Sequence, residues 1–276
     1  MSDVSGTANS NYRNFGKPKS ALLKKSRFTA MAFIIALGTI GLIFSGVSDS
    51  PSGMVIGNIS EISVPENVEP HISPEQIEAF NEQVTICNTY LAEEDNKNSI
   101  DCLLKADSIK TEIQVLLALA ELYSLEEEYS ASAIYYSRAI KVEPDNQVSR
   151  YNYAIAFERL NQTDDALEQY RAAAEISANY TAPLNNMAIL LQKLGRLSES
   201  KESFEKALLI EENNSAIILN YANILAELGQ NSMAEENYRK AIEIDPENKD
   251  AYRNFAQFLY NNERFIEAKE MLEKSY

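Results

Sequence analysis

From Ile113 onward the chain returns to the same arrangement of residues every 34 positions, and that period limits the fold more than any other feature. Frames beginning at 113, 147, 181, 215 and 249 run to Tyr276 without an insertion or deletion. The eighth position of each frame is Ala120, Ala154, Ala188, Ala222 and Ala256, and the twentieth is Ser132, Ala166, Ser200, Ala234 and Ala268. The twenty-seventh is Ala139, Ala173, Ala207, Ala241 and Ser275, while position 24 is large throughout: Tyr136, Tyr170, Phe204, Tyr238 and Leu272. Apolar residues recur at helical spacing on two segments of each frame, broken near position 15 by Glu127, Asn161, Gly195, Gly229 and Glu263. Each frame therefore reads as a helical hairpin. Small residues let two antiparallel helices approach closely, and the large ones fill the space that remains. Pro144 and Pro246, at position 32, end the second helix and begin the joint to the next frame. One such hairpin cannot bury its apolar face alone, so the hairpins must stack.

This pattern resembles the tetratricopeptide repeat family from Ile113 to Tyr276, 164 of 276 residues. The resemblance implies an all-α fold, a right-handed superhelical solenoid of antiparallel hairpins at 113–146, 147–180, 181–214, 215–248 and 249–276. The chain departs from the family pattern in having no tryptophan: Leu116, Arg150, Leu184, Ile218 and Tyr252 occupy position 4. Ala178 and Glu212 stand where proline is typical, and Arg150 must lay its stem along its hairpin. A degenerate earlier hairpin falls within 76–112, with Cys87 in the small eighth position and Ala106 in the small twenty-seventh of a frame begun at Phe80. It is one residue short. The last frame stops at position 28, where Phe265, Met271 and Leu272 belong partly to its own core, and an apolar end open to self-association is expected there.

Ahead of the repeats lie three segments of different character. Residues 1–27 carry six basic side chains and only Asp3 as an acid, and they lead into Phe28 to Val47, 20 residues without a charge. A helix of that length rises about 30 Å, the thickness of a bilayer core, so the expectation is one transmembrane anchor ahead of the solenoid. A cleaved signal peptide is the rival reading; no Ala-x-Ala site follows the apolar run. Basic residues flank only the N-terminal side, which predicts a cytoplasmic head and repeats on the non-cytoplasmic side. Residues 48–75 are polar, with several prolines, and read as a linker. Ser73 and Pro74 have the character of an N-cap and a first-turn proline.

Charge and residue content exclude several functions. The net charge is -16, and the residues after 27 hold 19 basic against 40 acidic side chains, so a phosphate backbone would be repelled and no nucleic-acid partner is expected. His71 is the only histidine and lies in the linker, so neither a histidine-based triad nor a multi-histidine metal site can form. No Gly-rich phosphate loop is present, and no catalytic residue, cofactor or metal is predicted. Four Asn-x-Ser/Thr sequons, at Asn58, Asn161, Asn179 and Asn213, carry no weight in an asparagine-rich chain. Two readings of Cys87 and Cys102 stand: small buried apolar residues, or, in an oxidising compartment, one disulfide.

The resemblance also implies where a partner would sit. In the family the first helix of each hairpin faces the concave side, with positions 2, 5, 6, 9, 12 and 13 pointing into it. Position 6 is Ala118, then Asn152, Asn186, Asn220 and Asn254, an amide ladder able to meet both groups of a peptide unit. Long superhelical members, such as the repeat domain of O-linked N-acetylglucosamine transferases, grip an extended backbone in this way. Asparagine is also common at this position as part of a solvated inner face. Tyr151, Asn185, Gln192, Lys193, Asn223, Glu227, Arg253, Gln257 and Tyr260 complete the groove, with Tyr151 and Arg253 its foremost side contacts. The family's clamp for C-terminal carboxylates is not expected, because Leu117, Tyr151, Ala182 and Ala216 occupy the positions that need basic residues. The expectation is a non-enzymatic, membrane-anchored scaffold that binds a protein or extended peptide, similar in architecture to bacterial inner-membrane scaffolds of envelope assembly. The alternatives are a cytosol-facing receptor on an organelle membrane and a regulatory subunit of a partner enzyme.

Overall fold

The computed structural model describes residues 72–276. These form twelve helices and no strand. In order they are α1 (Pro74–Ala92), α2 (Asn96–Ile109), α3 (Ile113–Leu125), α4 (Tyr129–Val142), α5 (Gln147–Arg159), α6 (Thr163–Ile176), α7 (Thr181–Lys193), α8 (Leu197–Ile210), α9 (Ser215–Glu227), α10 (Asn231–Ile244), α11 (Lys249–Asn261) and α12 (Phe265–Lys274). The odd-numbered helices from α3 on begin at the first residue of each frame and run 13 residues. The even-numbered ones from α4 to α10 begin at position 17 and run 14.

The two helices of a frame are separated by one backbone device. Glu127, Asn161, Gly195, Gly229 and Glu263, all at position 15, have φ of 63°, 59°, 72°, 71° and 62°. Each puts the chain into the left-handed region directly after the first helix. The following N–H then reaches back five residues, as from Arg196 to the Leu191 carbonyl at 2.9 Å and from Gln230 to that of Leu225 at 2.8 Å. Glycine enters this region without cost, whereas glutamate brings its Cβ against the next carbonyl. The joint between frames has its own device at position 34. Asn146, Asn214 and Asn248 cap the following helix, their side-chain oxygens accepting from the N–H groups of Ser149, Ile217 and Ala251. Tyr180 holds the same position without a side-chain cap.

The described residues divide into two compact units between Ala118 and Leu119. In the first, α1 and α2 form a hairpin. Ser73 and Gln76 cap α1 reciprocally, the side chain of each meeting the backbone of the other. Phe80, Val84, Cys87 and Leu91 make the buried stripe of α1, and Ser99, Cys102, Leu103 and Ala106 that of α2. Cys87 and Cys102 are bonded in a disulfide, Cα atoms 5.4 Å apart, and both are buried. Glu94, at position 15 of the frame begun at Phe80, has φ 58°, so this hairpin turns by the same device as the later ones.

In the second unit each hairpin packs within itself and on the next, α5 with α6, α6 with α7 and so on to α12. The alanines and serines at positions 8, 20 and 27 from Ser132 to Ala268 are buried, and so are Tyr136, Tyr170, Phe204 and Tyr238 at position 24. Small residues thus stand where helices approach most closely, and the aromatic ring fills the space beside them. Arg150 lays its stem as the sequence requires: its Nε donates to the Pro144 carbonyl at 3.0 Å and its guanidinium to Gln169. Met271 packs on the core, but Phe265 and Leu272 are 57% and 44% exposed, because no further helix covers that face of α12 among the described residues. Among the described residues no helix is long and apolar enough to cross a membrane. The anchor expected at residues 28–47 and most of the linker lie outside them.

Candidate functional site

In the second unit, the first helices of successive hairpins present one common face. Along α9, Ile217, Ile218, Leu219, Tyr221, Ala222, Ile224 and Leu225 are buried, which leaves positions 2, 6, 9, 12 and 13 with open sides. On α11 the open set is Asp250, Arg253, Asn254, Gln257, Tyr260 and Asn261. Asn152, Asn186, Asn220 and Asn254 are all half-buried on this face, at corresponding places of α5, α7, α9 and α11.

The four amides are not equivalent. Asn186 donates to the Tyr151 hydroxyl at 3.0 Å and accepts from Asn185 at 3.2 Å, so both its groups are engaged. Asn220 donates to Asn185 at 3.2 Å and keeps its oxygen open. Asn152 and Asn254 make no side-chain hydrogen bond within the described residues. The partners are 35 residues apart: position 6 of one frame meets position 5 of the frame before it. The same offset recurs further along the helices. Lys193 donates to Glu158 at 2.7 Å, and Gln192 to Glu227 at 2.6 Å, each joining positions 12 and 13 of adjacent frames. Two rails of side chains therefore tie the first helices together on their open side. Asn254 falls opposite the apolar Leu219, where the inner rail stops.

Between the rails, Ile155 and Ile189 at position 9 form the floor of an open hollow of about 730 Å³ that also takes in Glu158, Tyr170, Asn186 and Lys193. Tyr170 is buried, with its hydroxyl donating to Glu158 at 3.1 Å. Burial and then the Glu158 charge push its pKa far above the ordinary phenol value, so it is a neutral donor at all physiological pH. Tyr151 leans on Tyr170 and Tyr180, ring centroids 5.9 and 5.5 Å away. Further along, Tyr238 donates to Asn223 at 2.7 Å. Arg253, at the far end, is held by Asp250 at 2.8 Å on its own helix. Thus the structure brings Tyr151 together with Asn186, and leaves Arg253 and Asn254 at the other end of the face. The two isoleucines and the Glu158–Lys193 bridge were missed from the sequence. Position 9 was within the inward-facing set, but only its polar members drew attention.

Among the described residues no group of three or more histidine, cysteine or acidic side chains could hold a metal ion. The arrangement offers hydrogen-bonding amides, phenols and a shallow apolar floor, which is the chemistry of binding.

Comparison with known proteins agrees with the fold. Family models described as "Tetratricopeptide repeat" match residues 113–146, 183–214 and 135–168, and one described as "TPR repeat" matches 222–262. A tetratricopeptide repeat protein from Parabacteroides merdae superposes with a TM-score of 0.64 at 17% identity, over 71% of this chain and 78% of that one. Pseudomonas aeruginosa pilF gives 0.57 at 18% identity, over 71% and 90%. YrrB, described as a TPR protein with an unusual peptide-binding site, gives 0.51 at 19% identity, over 63% and 90%. No curated protein matches the sequence.

Proposed function

We infer that this chain, which carries tetratricopeptide repeats, is a non-enzymatic scaffold that holds a protein partner by an extended segment laid along the open face of α5, α7, α9 and α11. The observation that carries this reading is the row of half-buried amides on four successive first helices. Amides at one place on successive repeats offer a donor and an acceptor to each peptide unit they meet, whatever its side chain. The peptide-binding site named for YrrB, a protein of the same fold, supports the same class of function.

The scaffold is further proposed to be anchored by Phe28 to Val47, with its repeats on the non-cytoplasmic side of a bacterial inner membrane, in assembly of an envelope complex. Two features support that placement: basic residues on one side only of the apolar run, and a buried disulfide in the first hairpin, which belongs to oxidising compartments. An anchor would concentrate bound partners at the membrane.

A photo-crosslinking amino acid at Gln257 or Asn152 should give partner adducts in intact cells, whereas one at the exposed Glu202 on α8 should not. Equal adducts from both faces would overturn the groove reading. Protease added outside spheroplasts should digest the repeats; protection until the membrane is breached would place them in the cytosol instead.

A further inference from the structure

Around the hollow of α5 and α7 the charge balance of the molecule is reversed. Residues 72–276 hold 19 basic against 36 acidic side chains, yet Arg159 and Lys193 line the hollow with Glu158 as its single carboxylate. Glu158 is already engaged, accepting from Lys193 at 2.7 Å and from the Tyr170 hydroxyl at 3.1 Å. Arg159 is exposed and meets no carboxylate among the described residues; its guanidinium lies beside the Tyr129 ring, 5.8 Å from the centre. Two frames on, the same position 13 carries the opposite sign. Glu227, exposed at the end of α9, meets only the Gln192 amide, at 2.6 Å. Lys193 between them is bridged to Glu158, and Arg253 beyond them to Asp250. The inward positions of α5, α7, α9 and α11 therefore leave two charges without an opposite charge, a cation on α5 and an anion on α9, along one edge of the face.

Resting on the groove reading above, we propose that the segment accepted here is dipolar, with an acidic side chain set on Arg159 at the hollow and a basic one set on Glu227. Adjacent first helices are about 10 Å apart, so the two charges are separated by about 20 Å. An extended chain covers that in roughly six residues. The amides beside this edge meet peptide groups whatever their side chains, so they fix neither the register of the segment nor which of its ends lies on α5. The two charges fix both. An acidic run would meet Glu227 and an acidic body, and a basic run would meet Arg159 and Lys193, so each is disfavoured at one end.

The test uses the full chain in detergent micelles and a phage library of random peptides roughly 12 residues long, enough to cross all four helices. The enriched peptides should share one acidic and one basic position roughly six residues apart. A fluorescent copy of the best one should bind about tenfold more weakly to the double variant Arg159→Glu, Glu227→Arg, in which both ends turn from attraction to repulsion. That variant should instead prefer a synthetic copy in which the acid and the base have exchanged places, a gain that an unfolded protein could not show. The preference should shrink as salt is raised. Enriched peptides without the charge pair, or a charge-exchanged variant that keeps the preference of the parent, would overturn the proposal. If such peptides are still lost on Asn152→Ala with Asn254→Ala, the groove reading survives and only the dipolar segment fails. Peptides indifferent to both sets of variants, or no enrichment at all, would remove the groove and the dipolar segment together.

Discussion

The five left-handed residues at position 15 permit a stability prediction with both signs. Gly195 and Gly229 sit at φ 72° and 71°, and a Cβ built on either meets no atom within 4 Å. Alanine there would suffer only the intrinsic cost of the left-handed region, about 1–2 kcal/mol. Against that stands a gain of about 0.4–1 kcal/mol from a less flexible unfolded chain. The expected net loss is about 0.5–1 kcal/mol per site, and about 1–2 kcal/mol for the pair if the sites add. Glu127 and Glu263 are the mirror case: both are exposed, at φ 63° and 62°, and already bear the strain. Glycine at each should raise stability by the same net amount. Asn161→Gly should change less, since asparagine tolerates this conformation better than other residues with a Cβ. Guanidinium unfolding followed by circular dichroism would show the midpoint falling in the Gly195→Ala, Gly229→Ala double variant and rising in Glu127→Gly, Glu263→Gly, with unchanged slope. A glycine-to-alanine pair as stable as the parent, or a loss on replacing the glutamates, would refute the strain argument.

Three further outcomes follow from the core and the first hairpin. Reducing the Cys87–Cys102 bond should raise the intact mass by about 2 Da and weaken the first hairpin by about 3 kcal/mol, the chain-entropy value for a loop this short; amide exchange over 74–109 should quicken while α9 stays protected. At position 20, Ser200 donates to the Ala188 carbonyl at 2.7 Å, whereas the buried Ser132 hydroxyl has no hydrogen-bond partner among the described residues. Ser200→Ala should therefore cost about 1 kcal/mol in denaturant unfolding, and Ser132→Ala should be neutral or stabilising. Tyr180 and Tyr221 are pushed up to about 12 from 10.0, each by burial first. Because the folded state holds these protons more tightly, their contribution is complete below pH 10.0 and is lost as pH rises toward about 12, which thermal melts across that range would record.

The helices and their core were legible because both repeat in one dimension. A period of 34 set every helix start from Ile113 on, and the small residues at positions 8, 20 and 27 already marked the close approaches. The turn was located at position 15, but its common backbone state was hidden: glutamate, asparagine and glycine share it, and only glycine announces it. The caps at position 34 were likewise obscured by Tyr180 standing among three asparagines. The site was less legible for a stronger reason. Its side chains pair across 35 residues, one more than the period, so frames aligned on the repeat place no pair of partners in the same column. Asn186 and Tyr151 look unrelated in that alignment, as do Lys193 and Glu158, yet these contacts decide which amides remain open.

That offset separates two roles that the amide ladder would otherwise seem to combine. Asn186→Ala removes a bond to the Tyr151 hydroxyl and one from Asn185, both within the protein, so its first effect is on the fit between α5 and α7. The residues left behind are half-buried and reach water, which keeps the expected loss near 0.5–1.5 kcal/mol rather than the full cost of a sealed polar group. Asn254→Ala removes no bond within the described residues and should leave the unfolding midpoint unchanged. For a bound segment the order reverses. Asn254 presents both N–H groups and both oxygen lone pairs without first breaking anything, while Asn186 already spends one N–H on Tyr151 and one lone pair on Asn185 and is held in place by them. Binding of a groove peptide should therefore fall several-fold more in Asn254→Ala than in Asn186→Ala, measured by polarisation on variants whose stability is known. If instead Asn186→Ala costs most in binding and least in stability, the hydrogen bonds along the face yield to the ligand, and the rails form part of the recognition surface itself.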